Sequence, residues 1–186
     1  SLVSEGCEIH VAVGVLVNDA GQVLVALRSA DRHQGGLWEF PGGKLEPGET
    51  LYQGLYREFC EEIGIQIHRA FPICRISHDY GDKAVLLDVC RIQGYDGEPH
   101  GREGQPLEWR PVSQLKPQDF PAANAPIIKA LQLPQTMAIT PAAQDWSELE
   151  QHLGILLERA PGLVQLRQKH LPADLYLDWY QRALKF

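Results

Sequence analysis

Two short runs near the start of the chain are dense in β-branched and aliphatic residues. Residues 9–17 (IHVAVGVLV) and 22–28 (QVLVALR) read as strands, and Asn18-Asp19-Ala20-Gly21 between them is a turn cluster. Residues 36–40 predict a short strand running into a Gly-Gly loop. The period then changes. Leu51, Leu55, Phe59 and Ile63 drift slowly around one side at 100° per residue, with Tyr52 and Tyr56 beside them, which is the core stripe of an amphipathic helix. Pro47-Gly48 marks a turn before it, Thr50 stands as a cap with Gln53 at the capping-box spacing, and Gly64 is a natural stop. The helix is therefore placed at about 51–63.

Alternation resumes at about 66–78 and 83–93, two strands linked by a turn near Gly81-Asp82. Residues 94–106 (GYDGEPHGREGQP) are rich in Gly and Pro and read as a loop. A short strand at 108–110 and a helix at about 125–131 follow. The result is an α/β domain, a mixed sheet with helices on its faces. Pro134-Gln135 marks a boundary, which gives two domains, 1–133 and 134–186. Beyond it the order is strand (137–140), helix (about 146–160), strand (163–166), helix (about 172–184), an alternation that suggests parallel βαβα units.

Composition adds exclusions. The chain has 186 residues, 44% of them apolar and 22% charged, ordinary values for a globular protein. A net charge of −7 argues against binding a nucleic-acid polymer along a surface. No apolar run approaches the length of a membrane span, and no signal peptide is evident. Cys7, Cys60, Cys74 and Cys90 form no C-x-x-C pair and are read as small buried residues in a reducing cytoplasm. Ser1-Leu2 stands where an initiator Met is expected and reads as a cloning remnant.

The candidate chemistry lies at 43–65. Glu58, Glu61 and Glu62 are spaced i, i+3, i+4 and so share a helical face, and no lysine is interleaved to neutralise it. Three glutamates alone also describe a solvated acidic face. That reading does not explain Pro41-Gly42-Gly43 before the helix or Glu49 at its entrance. Mg²⁺ takes hard oxygen ligands and bridges to substrate phosphates, so it relieves the repulsion directly. Gly54, one turn before Glu58, costs about 1 kcal/mol in mid-helix, and the expected compensation is room for the Gly42-Gly43 loop.

At every defining position this segment resembles the Nudix box: Gly43, Glu49, Arg57-Glu58, Phe59, Glu61-Glu62, Ile63, Gly64 and Ile65. Residues 9–133 further resemble the MutT branch, the 8-oxo-dGTP diphosphatases. The matching pieces are His10–Gly14, Arg28 through Ala30-Asp31 to His33, and Trp38–Lys44. Gly97-Glu98-Pro99, Arg102–Pro106 with Glu108-Trp109, and Asp119–Asn124 with Pro126 complete them. The resemblance implies a Nudix α/β/α sandwich. It implies Mg²⁺-dependent hydrolysis (Mn²⁺ as a substitute) of an oxidised purine nucleoside triphosphate to the monophosphate and pyrophosphate, a nucleotide-pool sanitation that prevents mutation.

By position it implies metal binding by Glu58, Glu61, Glu62, the Gly42 carbonyl and Glu103. Glu58 is the first choice for the general base and Glu103 the second. Arg57 orients a box glutamate, with the i+4 spacing pointing to Glu61. Glu49 holds the loop or an outer shell, and Gly43 and Gly64 are structural. Arg28 and His33 resemble phosphate-side contacts. Asn124 offers a donor and an acceptor to a purine edge, although it also stands where a helix N-cap would. Tyr80, Asp82 and Lys83 fall near the base, with Tyr where an apolar Phe is familiar.

The tail carries its own resemblance. Residues 136–141 and 163–169 are similar to the first two strands of a thiamine-phosphate synthase barrel, which maps pyrophosphate-binding residues onto Gln165, Arg167 and Lys169. An eight-unit barrel needs about 250 residues, so an incomplete βαβα segment without synthase activity is expected. Two other functions compete: a Nudix enzyme acting on another diphosphate, such as a damaged thiamine diphosphate, and a non-catalytic binding module, which typically lacks box carboxylates. The sequence leaves the oligomeric state open.

Overall fold

Two sheets build the first part of the chain, where one mixed sheet was expected. In a computed structural model, which describes residues 8–134, 137–159 and 163–186, β1 (Ile9–Val15) is an inner strand of a four-stranded mixed sheet. It pairs antiparallel with β4 (Gly42–Lys44) and parallel with β6 (Ala84–Asp96), and β6 pairs antiparallel with β5 (Gln66–Asp79). The second sheet is antiparallel, with β2 (Gln22–Leu27) between β3 (Trp38–Glu39) and β7 (Leu107–Pro111). The runs at 9–17 and 22–28 meet only at their tip, through the Val17–Val23 bridge and a 3.0 Å bond from the Leu24 N–H to the Leu16 carbonyl. The chain passes from one sheet to the other there.

β1 is apolar on both faces because both are covered. Val13 and Val15 pack with Leu87, Val89, Phe120 and Ile128. Ala12 and Leu16 pack with Cys90, Leu55, Phe59 and Ile63. The first cluster brings in α2 (Ala125–Gln132) and the second α1 (Leu51–Glu58), so the mixed sheet lies between two helices. Gly14 lets Phe59, just past the end of α1, approach closely, since a Cβ there would strike the Phe59 ring.

The Thr50 capping box forms: its hydroxyl accepts the Gln53 N–H at 3.2 Å, and the Gln53 side chain accepts the Thr50 N–H at 2.9 Å. The helix covers the expected span, but its last turn differs. Phe59–Ile63 widens into a π turn, closed by Gly64 in the left-handed region (φ 73°) with its N–H on the Phe59 carbonyl. Tyr52, placed beside the core stripe, is 40% exposed. β6 continues to Asp96, into the expected loop. Cys90 is buried, Cys74 half-buried and Cys60 exposed, because the π turn presents Cys60 outward. Cys7 lies outside the described residues.

The chain divides into two units, Ser1–Gln132 and Leu133–Phe186. In the second, β8 (Met137–Ile139) and β9 (Leu163–Gln165) pair in parallel, with α3 (Trp146–Glu158) between them in sequence and α4 (Ala173–Ala183) after. Ala143, Leu149, Leu153 and Trp179 form its small core. Buried Gln168 ties its loops together through Thr140, Pro141 and Ala143. These two βα units are the whole of what the described residues carry towards a barrel. Among the described residues no helix is long and apolar enough to cross a membrane.

Candidate functional site

Arg57 organises the acidic side. Its guanidinium donates twice to Glu49, each bond 2.8 Å, once to Glu58 at 2.8 Å, and to the Lys44 carbonyl at 3.1 Å. Glu61, the partner expected from helical spacing, is weaker at 3.3 Å, with its side chain 59% exposed. The expected i+4 contact is present, and its weakness beside Glu49 has a geometric cause. A bidentate fork fits the carboxylate at the helix entrance, whereas the i+4 partner is reached by one nitrogen only. Glu49 also accepts the Glu46 N–H at 2.7 Å, so it fastens the loop to the helix. The Arg57 hydrogen bonds, then the Glu46 N–H, hold its carboxyl well below the usual carboxylate range. Arg57 is raised in turn, by Glu49 first.

Glu58 is buried. The clearance expected from Gly54 comes from elsewhere: a Cβ on Gly43 would overlap the Glu58 carboxyl group. Gly54 instead receives the Leu45 side chain, whose place a Cβ would take. Leu45 follows β4 and packs on α1, so the apolar contact occupies the notch nearest it.

Glu103 lies 41 residues beyond Glu62 in the sequence, and hydrogen bonds to the π turn bring it back. A widened turn leaves carbonyls without their usual i+4 partners. The 97–106 loop supplies them: the Arg102 N–H and Gln105 Nε2 donate to the Glu62 carbonyl, each at 3.0 Å. The His100 N–H reaches the Ile63 carbonyl at 3.0 Å, and Arg102 Nη1 the Cys60 carbonyl at 3.0 Å. The consequence is electrostatic. Burial first, then the charges of Glu58 and Glu103, a hydrogen bond with Glu58 and the charge of Glu39 push the Glu62 carboxyl up to about 8.

That crowding tests whether the residues suit a divalent cation. Among the described residues no three acidic, histidine or cysteine side chains are already gathered around one point. The donors are nonetheless hard oxygens, and Glu58 and Glu103 are close enough to Glu62 to raise its cost of ionisation. Gly43 leaves the Glu58 carboxyl unobstructed. This set fits a hard divalent ion, which would take the place of the proton that Glu62 retains.

A cleft of about 130 Å³, open to solvent, lies beside the glycine loop. Its apolar wall is Val11, Val13, Phe40 and Leu87, and its polar lining includes His33, Tyr80, Lys83 and Asn124. Phe40 stacks on Phe120 (5.2 Å, 22°), which anchors the segment leading to Asn124. Asn124 is 8% exposed, ends a short 3₁₀ turn (Ala122–Asn124) and precedes α2. Among the described residues its side chain makes no hydrogen bond, to a helix N–H or to any other group, so the amide is free at the cleft. Lys83 makes no ion pair among the described residues.

Arg28 is engaged rather than free. Its Nε and Nη2 donate to the His33 carbonyl at 3.1 and 2.5 Å, and Nη1 donates to Glu39. Among the described residues His33 Nε2 is buried without a partner, and Nδ1 stands 3.4 Å from Asp82. Asp82 is 65% exposed at its side chain and does not line the cleft. It lies at a hairpin tip, so its carboxylate turns to solvent and His33.

Sequence reasoning gave Glu39 and Phe40 no role. Glu39 pairs with Arg28 and, at 3.7 Å, Arg32, and with them it lines both the cleft and a second cavity containing Glu62 and Glu103. The available signal was an acid and an aromatic standing directly before Pro41-Gly42-Gly43.

Residues 12–130 match the NUDIX domain family. The chain is 37% identical over 124 residues to an 8-oxo-dGTP diphosphatase of Escherichia coli (strain K12), covering 67% of this chain and 96% of that one. A CTP pyrophosphohydrolase of the same organism is 30% identical over 118 residues, 63% of this chain and 87% of that one. A structure from a study of MutT from Aliivibrio salmonicida and Vibrio cholerae superposes with a TM-score of 0.59 at 36% identity, covering 67% of this chain and 96% of that one. The family match ends at residue 130, before the second unit.

Proposed function

The chain belongs to the NUDIX family, and from that premise we propose that it hydrolyses oxidised purine nucleoside triphosphates, 8-oxo-dGTP foremost, to the monophosphate and pyrophosphate. One observation carries the reading. Glu62, crowded by buried Glu58 and by Glu103, belongs to the same domain as a cleft whose Asn124 amide is unpaired among the described residues, and Arg28 and Glu39 line both cavities. The carboxylates serve the phosphates and the amide serves the base. The 37% identity to an 8-oxo-dGTP diphosphatase supports the same substrate.

Water attacks the β-phosphorus. Its oxygen bonds to that atom as the bond to the α–β bridging oxygen breaks, and the monophosphate leaves with that oxygen. Glu58 accepts the proton of the attacking water, an effect typically worth 10²–10⁴-fold. A Mg²⁺ would be held by oxygens drawn from Glu58, Glu61, Glu62, Glu103 and the Gly42 carbonyl, and would supply charge neutralisation and a lowered water pKa. Arg57 holds the Glu58 carboxylate in one orientation. Asn124 offers its amide to the oxidised purine edge while Phe40 and Tyr80 wall the ring.

The test is a hydrolysis panel of 8-oxo-dGTP, dGTP, CTP, ADP-ribose and thiamine diphosphates, with and without Mg²⁺. The expected result is the highest kcat/KM on 8-oxo-dGTP, dependent on the metal. A best substrate elsewhere in the panel overturns the assignment, and no hydrolysis at all would make this a binding module.

A further inference from the structure

Ala123 immediately precedes the base-facing Asn124, and only 2% of it is exposed. It sits inside a 3₁₀ turn whose opening N–H groups have no partner within the turn itself. A buried N–H needs an acceptor. The Ala123 N–H finds one 43 residues away in sequence, donating at 3.0 Å to the phenol oxygen of Tyr80. Tyr80 comes from the β5–β6 hairpin, closed by its own N–H on the Lys83 carbonyl at 2.9 Å. Its ring is clamped edge-on by His33 (4.9 Å, 75°) and His78 (4.5 Å, 65°). The phenol oxygen is therefore a fixed point, and the turn bearing Asn124 hangs from it.

We infer that Tyr80 is a positioning residue for base recognition: its oxygen sets the turn that aims the Asn124 amide into the cleft. The inference rests on the proposed reading that Asn124 contacts the base. A tyrosine that merely fills space would act through its ring, which a phenylalanine keeps. The oxygen matters here because the Asn124 side chain makes no hydrogen bond of its own among the described residues. Its aim is set by the backbone on either side: α2 after it, and before it the Ala123 peptide that Tyr80 holds. Without the oxygen the ring contacts survive, the buried N–H loses its partner, and the turn shifts to find another.

The test uses the full chain with Tyr80→Phe, Asn124→Ala and the double variant. Steady-state kinetics on 8-oxo-dGTP and dGTP are combined with amide exchange at Ala123. Tyr80→Phe should cut the ratio of the two kcat/KM values about tenfold, chiefly through a higher KM for the oxidised nucleotide. In the Asn124→Ala background it should change that ratio by less than about twofold, since one residue acts through the other. Exchange at Ala123 should accelerate about tenfold. An unchanged ratio, a full tenfold effect without Asn124, or unaltered Ala123 exchange each overturns the inference. A wild-type enzyme with no preference for the oxidised nucleotide refutes the substrate reading by itself. The positioning role is then decided by Ala123 exchange and by the same double-variant coupling on the nucleotide the enzyme prefers.

Discussion

The acidic side and the base-side cleft are built by opposite means. Glu58, Glu61, Glu62 and Arg57 come from one continuous helix, and only Glu103 arrives from a distant loop. The cleft draws on β1, the loop after β2, the β5–β6 hairpin and the turn before α2, and its polar residues come from separate segments: His33, then Tyr80 with Lys83, then Asn124. A helix delivers its side chains at spacings set by backbone geometry. A cleft between loops delivers them only after the sheet has paired and the core has closed. The chemistry of cleaving a diphosphate can thus be held constant while the recognised base varies, a division consistent with relatives that include an 8-oxo-dGTP diphosphatase and a CTP pyrophosphohydrolase.

The largest effect that would break or sharpen this contrast is on the acidic side. Glu58→Gln keeps the shape but removes the proton acceptor, so kcat should fall by at least about 10²-fold on every nucleotide hydrolysed. Steady-state assays on two substrates decide it. A loss confined to one substrate would mean that the two sides are not separable, and a small loss would move the base role to Glu103.

A smaller, selective effect belongs to the cleft. On the proposed reading Asn124→Ala leaves the base edge without its partner, worth about 1–3 kcal/mol or roughly 5- to 150-fold in kcat/KM. The loss should be larger on 8-oxo-dGTP than on dGTP. Equal losses would remove Asn124 from base reading and leave it a backbone role before α2.

The smallest effect is on stability and depends on pH. Without metal the folded protein keeps the Glu62 proton up to about 8, whereas the unfolded chain releases it near 4.5. Between those values the folded state binds more protons, so this group makes stability fall as pH rises from about 4.5 to about 8. Glu62→Gln removes the liability. In chelator, its Tm advantage over the wild type should grow from pH 5 to pH 8 and shrink when Mg²⁺ is added to both. A gap that is constant across pH would mean that Glu62 is not crowded in the metal-free protein.

How much of this was legible beforehand follows the same division. The helix at 51–63, its Thr50 cap and its Gly64 stop could be read because each depends on neighbours within five residues. The strands at 66–78 and 83–93 could be read from alternation, and they form one long hairpin. The placing of β1 and β2 in separate sheets could not, because strand partners are chosen by surfaces remote in sequence. Nor could the π turn. It leaves the carbonyls of Cys60, Glu62 and Ile63 to be satisfied by a loop some 40 residues on, and nothing inside the helix encodes that loop.

The second unit makes a parallel case. Its strand and helix order was readable from period alone, and β8 and β9 do pair in parallel. Its likeness to a synthase barrel rested on two short stretches, and the described residues hold two parallel strands with a small core of their own.

The sequence by itself determined the reaction side of this protein: carboxylates at helical spacing, an arginine among them and a glycine loop in front. Local backbone geometry is enough to bring those groups together. Tertiary structure decided which glycine clears Glu58, which carboxylates Arg57 grips most tightly, that Glu39 lines both cavities, and that a tyrosine oxygen holds the turn carrying Asn124. Each of these is a contact between segments far apart along the chain. Such contacts are fixed by packing and by the need to pair buried polar groups, neither of which a spacing in the sequence records.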